Sequence, residues 1–305
     1  MTMFIKKIKS AKEKIRQRAL LKRREMFCNG VSEFSNFYQK IKLDMHEERK
    51  ARIQTEIHSQ GLCGQTVSKL DAQGIASWEG MLSNAELNEL RVMSTIHKKR
   101  WEEIFSSGNG EKSTQRVGNV VYTNTGFQQD GRARAFFTGK FPNAIANVVS
   151  DPRVRRICEC YLGANYKCTF ALAEWLTPSE RGDFWHFDRL DEQLKIMILL
   201  DDVEIEQGPL RYKAQTNYFI PELASIYLNV FRDGIEFAYP PGPLVEAGTG
   251  EVLYGIGNAG DVIFFDTTGI HSGTPCLVGE RQVMVLTFRG RGEVSQRLRE
   301  LGVSA

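Results

Sequence analysis

After Gly163 the apolar residues of the chain change to a period of two. Segments 167–176, 185–188, 194–203, 209–212, 261–266 and 282–288 are rich in aliphatic and aromatic residues, and Gly, Pro, Asp or Asn separates them. Six short strands predict a β-sandwich or barrel. Two of them, Ile196-Met197-Ile198-Leu199-Leu200 and Val283-Met284-Val285-Leu286, are apolar at both parities. A strand reads that way when one face fills the barrel and helices cover the other.

The N-terminal half can supply that cover. Ser83 and Glu86 make a capping box, and Leu87, Leu90, Met93, His97, Trp101 and Ile104 then hold one helical face. His97, alone on an apolar stripe, is read as a packed residue and not a ligand. Residues 142–149 and 152–162 are predicted helices, the second with Asp151 as N-cap, Pro152 in first position and Gly163 as terminator. Residues 106–140 are rich in Gly, Ser, Thr, Asn and Gln and read as loops and short strands; Arg132, Arg134 and Lys140 are taken as surface charges, with substrate contacts as the alternative. Residues 218–250 break the strand pattern with a helix over 221–231 and the Pro240-Pro241-Gly242-Pro243 turn, a lid-like insertion at a barrel mouth. The domain is placed at 69–305, entered through Leu70 to Ile75. Residues 1–68 precede it as a basic amphipathic helix and a peripheral or linker segment.

Ten Lys or Arg residues and a single acid, Glu13, fall between Met1 and Arg24, while Phe4, Ile8, Ala11, Ile15 and Ala19 recur at helical spacing. Such a helix can lie on an anionic membrane surface. It can equally be a solvated or partner-docking extension, and a mitochondrial presequence is a third reading. The net charge of +3 over 305 residues does not by itself call for a nucleic-acid partner, and the basic charge sits in the tail instead of being interleaved with aromatics. The six cysteines show no zinc-ligand rhythm and are read as reduced thiols. With no visible signal peptide and no apolar run of about 20 residues, the expected location is the cytoplasm, at or away from a membrane surface.

Within the strand region, Trp185-His186-Phe187-Asp188 alternates polar and aromatic residues. Residues two apart on an extended segment share a face, so His186 and Asp188 point one way, as two ligands for one metal. His271, just after the strand-like 260–266, is the best candidate for the third. Two histidines and a carboxylate on one face of an octahedral iron leave three positions open, enough for a bidentate oxoacid and dioxygen. Arg281 shares a face with Val283 and Val285. If that face lines the barrel, the guanidinium needs an anion, and the distal carboxylate of 2-oxoglutarate is such a group.

The ordered set His186-x-Asp188, Gly208-Pro209-Leu210-Arg211, Gly260-Asp261, His271-Ser272-Gly273 and Arg281 resembles the phytanoyl-CoA dioxygenase-like family of iron(II) and 2-oxoglutarate-dependent oxygenases. The resemblance runs from about Leu70 to Arg289. It implies a double-stranded β-helix, the cupin-like jelly roll, with flanking helices. It also implies His186, Asp188 and His271 as ligands of Fe(II), Arg281 as the oxoglutarate anchor, and a further polar contact for which Thr169 and Thr274 are candidates. The implied reaction converts 2-oxoglutarate and O2 to succinate and carbon dioxide and hydroxylates an unactivated C–H of a small or lipid-linked molecule, with ascorbate as a possible stimulant. Relatives that halogenate replace the carboxylate, so Asp188 favours oxygen insertion. The chain departs from the family at Ala214-Gln215-Thr216-Asn217, where Pro-Gly-Ser-His is common. Two alternatives stand beside this reading: a catalytically silent jelly-roll module that binds a ligand or partner and is tethered by its basic helix, and a protein-modifying oxygenase. The sequence leaves the oligomeric state open.

Overall fold

The computed structural model describes residues 31–57, 61–106, 113–124, 131–188, 190–233 and 250–290. The basic segment 1–24 and residues 234–249 of the lid-like insertion lie outside them.

The first described element, α1 (Val31–Ile57), is not a peripheral linker. Phe34, Tyr38, Ile41 and Met45 recur at helical spacing and are buried to 1% exposure or less. The adjoining face carries Lys42, His46 and Arg49, also buried. Next, α2 (Leu62–Gln73) ends on Gly74, whose φ of 82° closes the helix in the left-handed region. The expected domain start at Leu70 therefore falls inside a helix. Strand β1 (Ile75–Trp78) leads to α3 (Asn84–Phe105), where the Ser83 hydroxyl accepts from the Glu86 amide and the Glu86 carboxylate accepts from the Ser83 amide. Strands β2 (Ser113–Val117), β3 (Val120–Asn124) and β4 (Arg132–Phe137) fill the polar region. Helices α4 (Asn143–Ser150) and α5 (Pro152–Leu162) follow, the second capped by Asp151, which accepts from the Arg153 amide.

The remaining strands are β5 (Lys167–Leu176), β6 (Gln193–Leu199), β7 (Leu210–Lys213), β8 (Val252–Gly255), β9 (Val262–Asp266), β10 (His271–Gly273) and β11 (Arg281–Arg289). Between β7 and β8 come a 3-10 turn (Pro221–Leu223) and α6 (Ala224–Asp233). All pairings among the described residues are antiparallel. The large sheet runs β1-β9-β6-β11-β5-β4-β3-β2 and the small one β10-β7-β8. Residues 185–188 form no full strand; His186 makes an isolated bridge to His271 and so extends the small sheet past β10. The two sheets make the double-stranded β-helix, with helices outside the large one.

The double apolar parity has the expected cause. Met197, Leu199, Ile263, Phe265, Val283 and Val285 face inward and meet Leu210 and Tyr212 of the small sheet. Their neighbours Ile196, Ile198, Phe264, Met284 and Leu286 face outward, in one cluster with Leu87, Leu90, Met93 and Trp101 of α3 and Val154 and Ile157 of α5. A third cluster backs the site: Phe187 and Ile270 pack with Phe34 and Tyr38 of α1 and Tyr227 of α6. The described part of the lid-like insertion is thus docked on α1, and it contributes no residue to the cavity described below.

Candidate metal centre and its cavity

His186, Asp188 and His271 converge as the alternation predicts. One ligand atom from each lies within 4.8 Å of the others. Nε2 of His186 and Nε2 of His271 each stand 3.6 Å from Asp188 Oδ1. The other ring nitrogens are engaged: His186 Nδ1 is 2.8 Å from the Phe184 carbonyl and His271 Nδ1 is 2.9 Å from the Gly269 carbonyl. A carbonyl can only accept, so Nδ1 carries the proton in both rings and each Nε2 lone pair faces the common point. The backbone explains the convergence. His186 and His271 exchange amide and carbonyl bonds at 2.9 and 2.8 Å, and the Asp188 amide donates to the Thr267 carbonyl at 2.9 Å.

The two oxygens of Asp188 differ. Oδ2 accepts from Lys195 Nζ at 2.6 Å and from Gln193 Nε2 at 3.2 Å. Oδ1 is buried and has no hydrogen-bond partner. A buried carboxylate oxygen without a donor is costly, and a cation between the two Nε2 atoms would satisfy it. Burial alone would raise the Asp188 pKa, but Lys195, with both histidines, holds it well below the carboxylate range. Burial, aided by the neighbouring His271, pushes the His186 imidazole down. At neutral pH the cluster therefore offers a carboxylate and a neutral His186, the protonation states a metal requires.

Arg281 lines the same cavity of about 330 Å³ as the three cluster residues. It is 3% exposed and donates from Nη2 to Glu174 Oε1 at 2.7 Å and from Nη1 to the Gly208 carbonyl. Gly208, at φ 73°, presents that carbonyl where an added Cβ would stand 2.8 Å from Leu176 Cδ2, so the glycine before Pro209 is a packing requirement. Arg211 of the same motif donates to Ser272 Oγ at 2.6 Å and lies over the Trp185 ring at 4.3 Å, tying β7 to β10. Arg281 Nε is buried and has no hydrogen-bond partner.

Sequence reasoning missed the surroundings of Arg281. Glu174 accepts from Arg134 Nε at 2.7 Å as well as from Arg281, and Arg132 pairs with Asp183; all of these line the cavity. Burial would raise the Glu174 pKa, but Arg134, Arg132 and Arg281 together hold it far below its usual range. Arg132 and Arg134 are therefore not surface charges, whereas Lys140 is exposed. The available signal was Arg132-Ala133-Arg134-Ala135, in which one parity is cationic and the other small. Thr169 and Thr274 are not brought to Arg281. Thr169 donates to the Thr287 carbonyl at 3.2 Å and lines a neighbouring cavity, while Thr274 donates to the Pro209 carbonyl at 2.9 Å. His97 Nδ1 is 2.7 Å from the Tyr122 hydroxyl and its ring stands edge-on to Phe137, as its reading as a packed residue requires.

No protein-family model matches the chain, and no curated protein sequence matches it. Solved structures do. AviO1 from Streptomyces viridochromogenes Tue57 superposes with a TM-score of 0.52 at 14% identity, covering 75% of this chain and 95% of that one. EctD from S. alaskensis, in its apoform, gives 0.52 at 15% identity over 74% of this chain and 76% of the other. The non-heme alpha ketoglutarate dependent epimerase SnoN from nogalamycin biosynthesis gives 0.50 at 13% identity over 75% and 82%. At these identities the likeness is one of fold. Fold and side chains together define a double-stranded β-helix protein with a two-histidine, one-carboxylate cluster facing an arginine-rich cavity.

Proposed function

We propose that the chain is an iron(II) and 2-oxoglutarate-dependent oxygenase that hydroxylates an unactivated C–H of a small or lipid-linked molecule, and that it resembles the phytanoyl-CoA dioxygenase-like family. The observation that carries this is that Asp188 Oδ1, between two histidine Nε2 atoms, and Arg281 Nε are both buried in one cavity with no hydrogen-bond partner. The first fits a divalent cation and the second an anion. His186, Asp188 and His271 would hold the iron; Arg281 would hold the distal carboxylate of 2-oxoglutarate. Three guanidinium groups, from Arg132, Arg134 and Arg281, face two carboxylates, Glu174 and Asp183, so the anchoring end has one cation in excess for a carboxylate of the cosubstrate. Bound iron and 2-oxoglutarate supply the oxidising chemistry and take up O2. The residues of the chain fix the imidazole tautomers, keep Asp188 ionised through Lys195 and orient the oxoacid. SnoN is named an epimerase; for this chain Asp188, which keeps the carboxylate in the metal set, favours oxygen insertion over halogenation.

Anaerobic iron titration followed by addition of 2-oxoglutarate and O2 tests the reading. The expected result is one iron per chain and succinate release, with His186→Ala and His271→Ala each reduced to background. Normal turnover by His186→Ala would end the assignment.

Glu174 on Arg281 supports a second reading, a catalytically silent ligand-binding module whose anchor arginine is internally satisfied. Iron uptake without any binding of 2-oxoglutarate would select it. We also infer that segment 1–24, through its ten basic residues and apolar stripe, brings the protein to an anionic membrane surface. No helix among the described residues is long and apolar enough to cross a membrane. Co-sedimentation with anionic vesicles should fall when residues 1–24 are deleted; unchanged co-sedimentation removes the inference.

A further inference from the structure

A second cavity of about 470 Å³ adjoins the first and shares with it Phe136, Phe170, Asp188 and Lys195. Its remaining lining is Thr138, Thr169, Gln193 and Arg289, from the opposite ends of strands that line the first, together with Val121 and Thr123 of β3. Arg281 pairs with Leu176 at one end of the β11–β5 ladder, and Arg289 pairs with Lys167 at the other. Arg289 and Thr169 line the second cavity, Arg281 and Glu174 the first, and Asp188 borders both. The proposed cosubstrate anchor and this cavity therefore lie on different sides of the metal cluster.

The chemistry of the second lining is specific. Thr123, Thr138 and Thr169 bring hydroxyl groups, Phe136 and Phe170 make an apolar wall with ring centroids 6.1 Å apart, and Lys195 and Arg289 bring two cations. A single carboxylate, Asp188, borders the space, and it already belongs to the metal cluster. With a divalent cation bound, the wall carries net positive charge in a partly desolvated space. Such a space selects an anion. The Arg289 guanidinium also touches Gln193 Oε1 at 3.3 Å, and Gln193 in turn donates to Asp188 Oδ2, so this end of the cavity is linked to the cluster through one amide.

We propose that the second cavity is the substrate site, and that the substrate is an organic anion, a carboxylate or a phosphate, whose charge meets Arg289 and whose apolar part lies against Phe136 and Phe170. This inference rests on the oxygenase reading for the role of the site. The threonines would take hydroxyl or amide groups of the same molecule. A volume of this size suits a small molecule or the head of a lipid-linked one.

The test uses the full chain loaded with zinc, which is diamagnetic, and saturated with 2-oxoglutarate. Phenylacetate, phenyl phosphate and benzyl alcohol are titrated in turn and followed by saturation-transfer NMR. The expected result is saturable transfer to the ring protons of at least one anion, with benzyl alcohol at least tenfold weaker; the tighter anion tells carboxylate from phosphate. Arg289→Gln should weaken that anion at least tenfold and leave 2-oxoglutarate affinity unchanged, and Thr169→Val serves as the second variant, expected to weaken it severalfold. Equal binding of benzyl alcohol, an Arg289→Gln protein with full anion affinity, or no anion binding to a chain that takes up 2-oxoglutarate would each overturn the proposal. A chain that fails to take up 2-oxoglutarate counts against the oxygenase reading instead.

Discussion

Glu174 accepts from Arg134 and Arg281 at 2.7 Å each, inside a cavity that also contains Arg132. Removing one member of a buried ionic group leaves the others uncompensated, so Glu174→Gln should destabilise the fold by about 3–5 kcal/mol, measured by denaturant unfolding near neutral pH. Its folded pKa is depressed, so its contribution is fully present above the unfolded carboxylate value and is lost as pH falls toward the folded one. The stability gap between wild type and Glu174→Gln should therefore shrink as pH falls from about 5 to about 3. A gap that stayed constant over that range would show that Glu174 is not held as an anion. The same residue shows what the sequence could not disclose. His186, Asp188 and Arg281 were legible because each stands as a polar interruption in an apolar or aromatic alternation. Glu174 and Arg134 compensate each other across two strands, and only the Arg134–Glu174 register brings them together.

At the scale of elements, α1 is the largest departure from expectation. Its Arg49 lies over the Tyr161 ring at 3.5 Å, donates to Asp71 Oδ1 at 3.1 Å and stands 3.6 Å from Asp266 Oδ2. Lys42 donates to Thr268 Oγ1 at 2.7 Å and to the Asn217 carbonyl at 2.9 Å, and the Asn217 side chain donates to the Asp71 carbonyl. The segment 214–217, where the chain departs from the family pattern, is thus the seam that joins α1 and α2 to the loop leading into His271. The polarity of α1 concealed its burial, because a helix that buries Lys42, His46 and Arg49 looks solvated in sequence. Arg49→Ala should cost about 3–5 kcal/mol, since Asp71 and Asp266 would be left without their shared cation. Because Asp266 and Thr268 set the approach to His271, isothermal titration of Arg49→Ala with zinc should also show weakened metal binding; unchanged affinity would mean that α1 supports the fold and not the cluster.

For the whole molecule, the cluster joins the two sheets. His186 and His271 belong to the small sheet, while Asp188 is held by Gln193 and Lys195 of β6 in the large one. A ligand that binds only the native state raises stability by about 2.7 kcal/mol at a hundred times its dissociation constant. Divalent metal should accordingly raise the thermal midpoint by a few degrees in wild type and leave that of His271→Ala unchanged. A two-layer β architecture was legible because strand parity reports what lies on each face. The order of strands across the sheets was not, since it depends on long-range register. β1, far from the other strands in sequence, pairs with β9 at the edge of the large sheet.

Tyr212 sets one further boundary. Its hydroxyl donates to the Asp266 carbonyl at 2.9 Å and fills the space beside two glycines; a Cβ at Gly74 would come within 2.3 Å of that oxygen and one at Gly269 within 1.8 Å. Replacing Tyr212 by Phe would not release either position, because the ring carbons lie within 2.6 Å of the same points. The helix terminator, the turn that bonds His271 and the tyrosine between them are therefore tied to one another in descent: relatives that keep the tyrosine should keep both glycines, and a lineage that gives up the ring relieves the crowding at both while position 74, at φ 82°, still favours glycine.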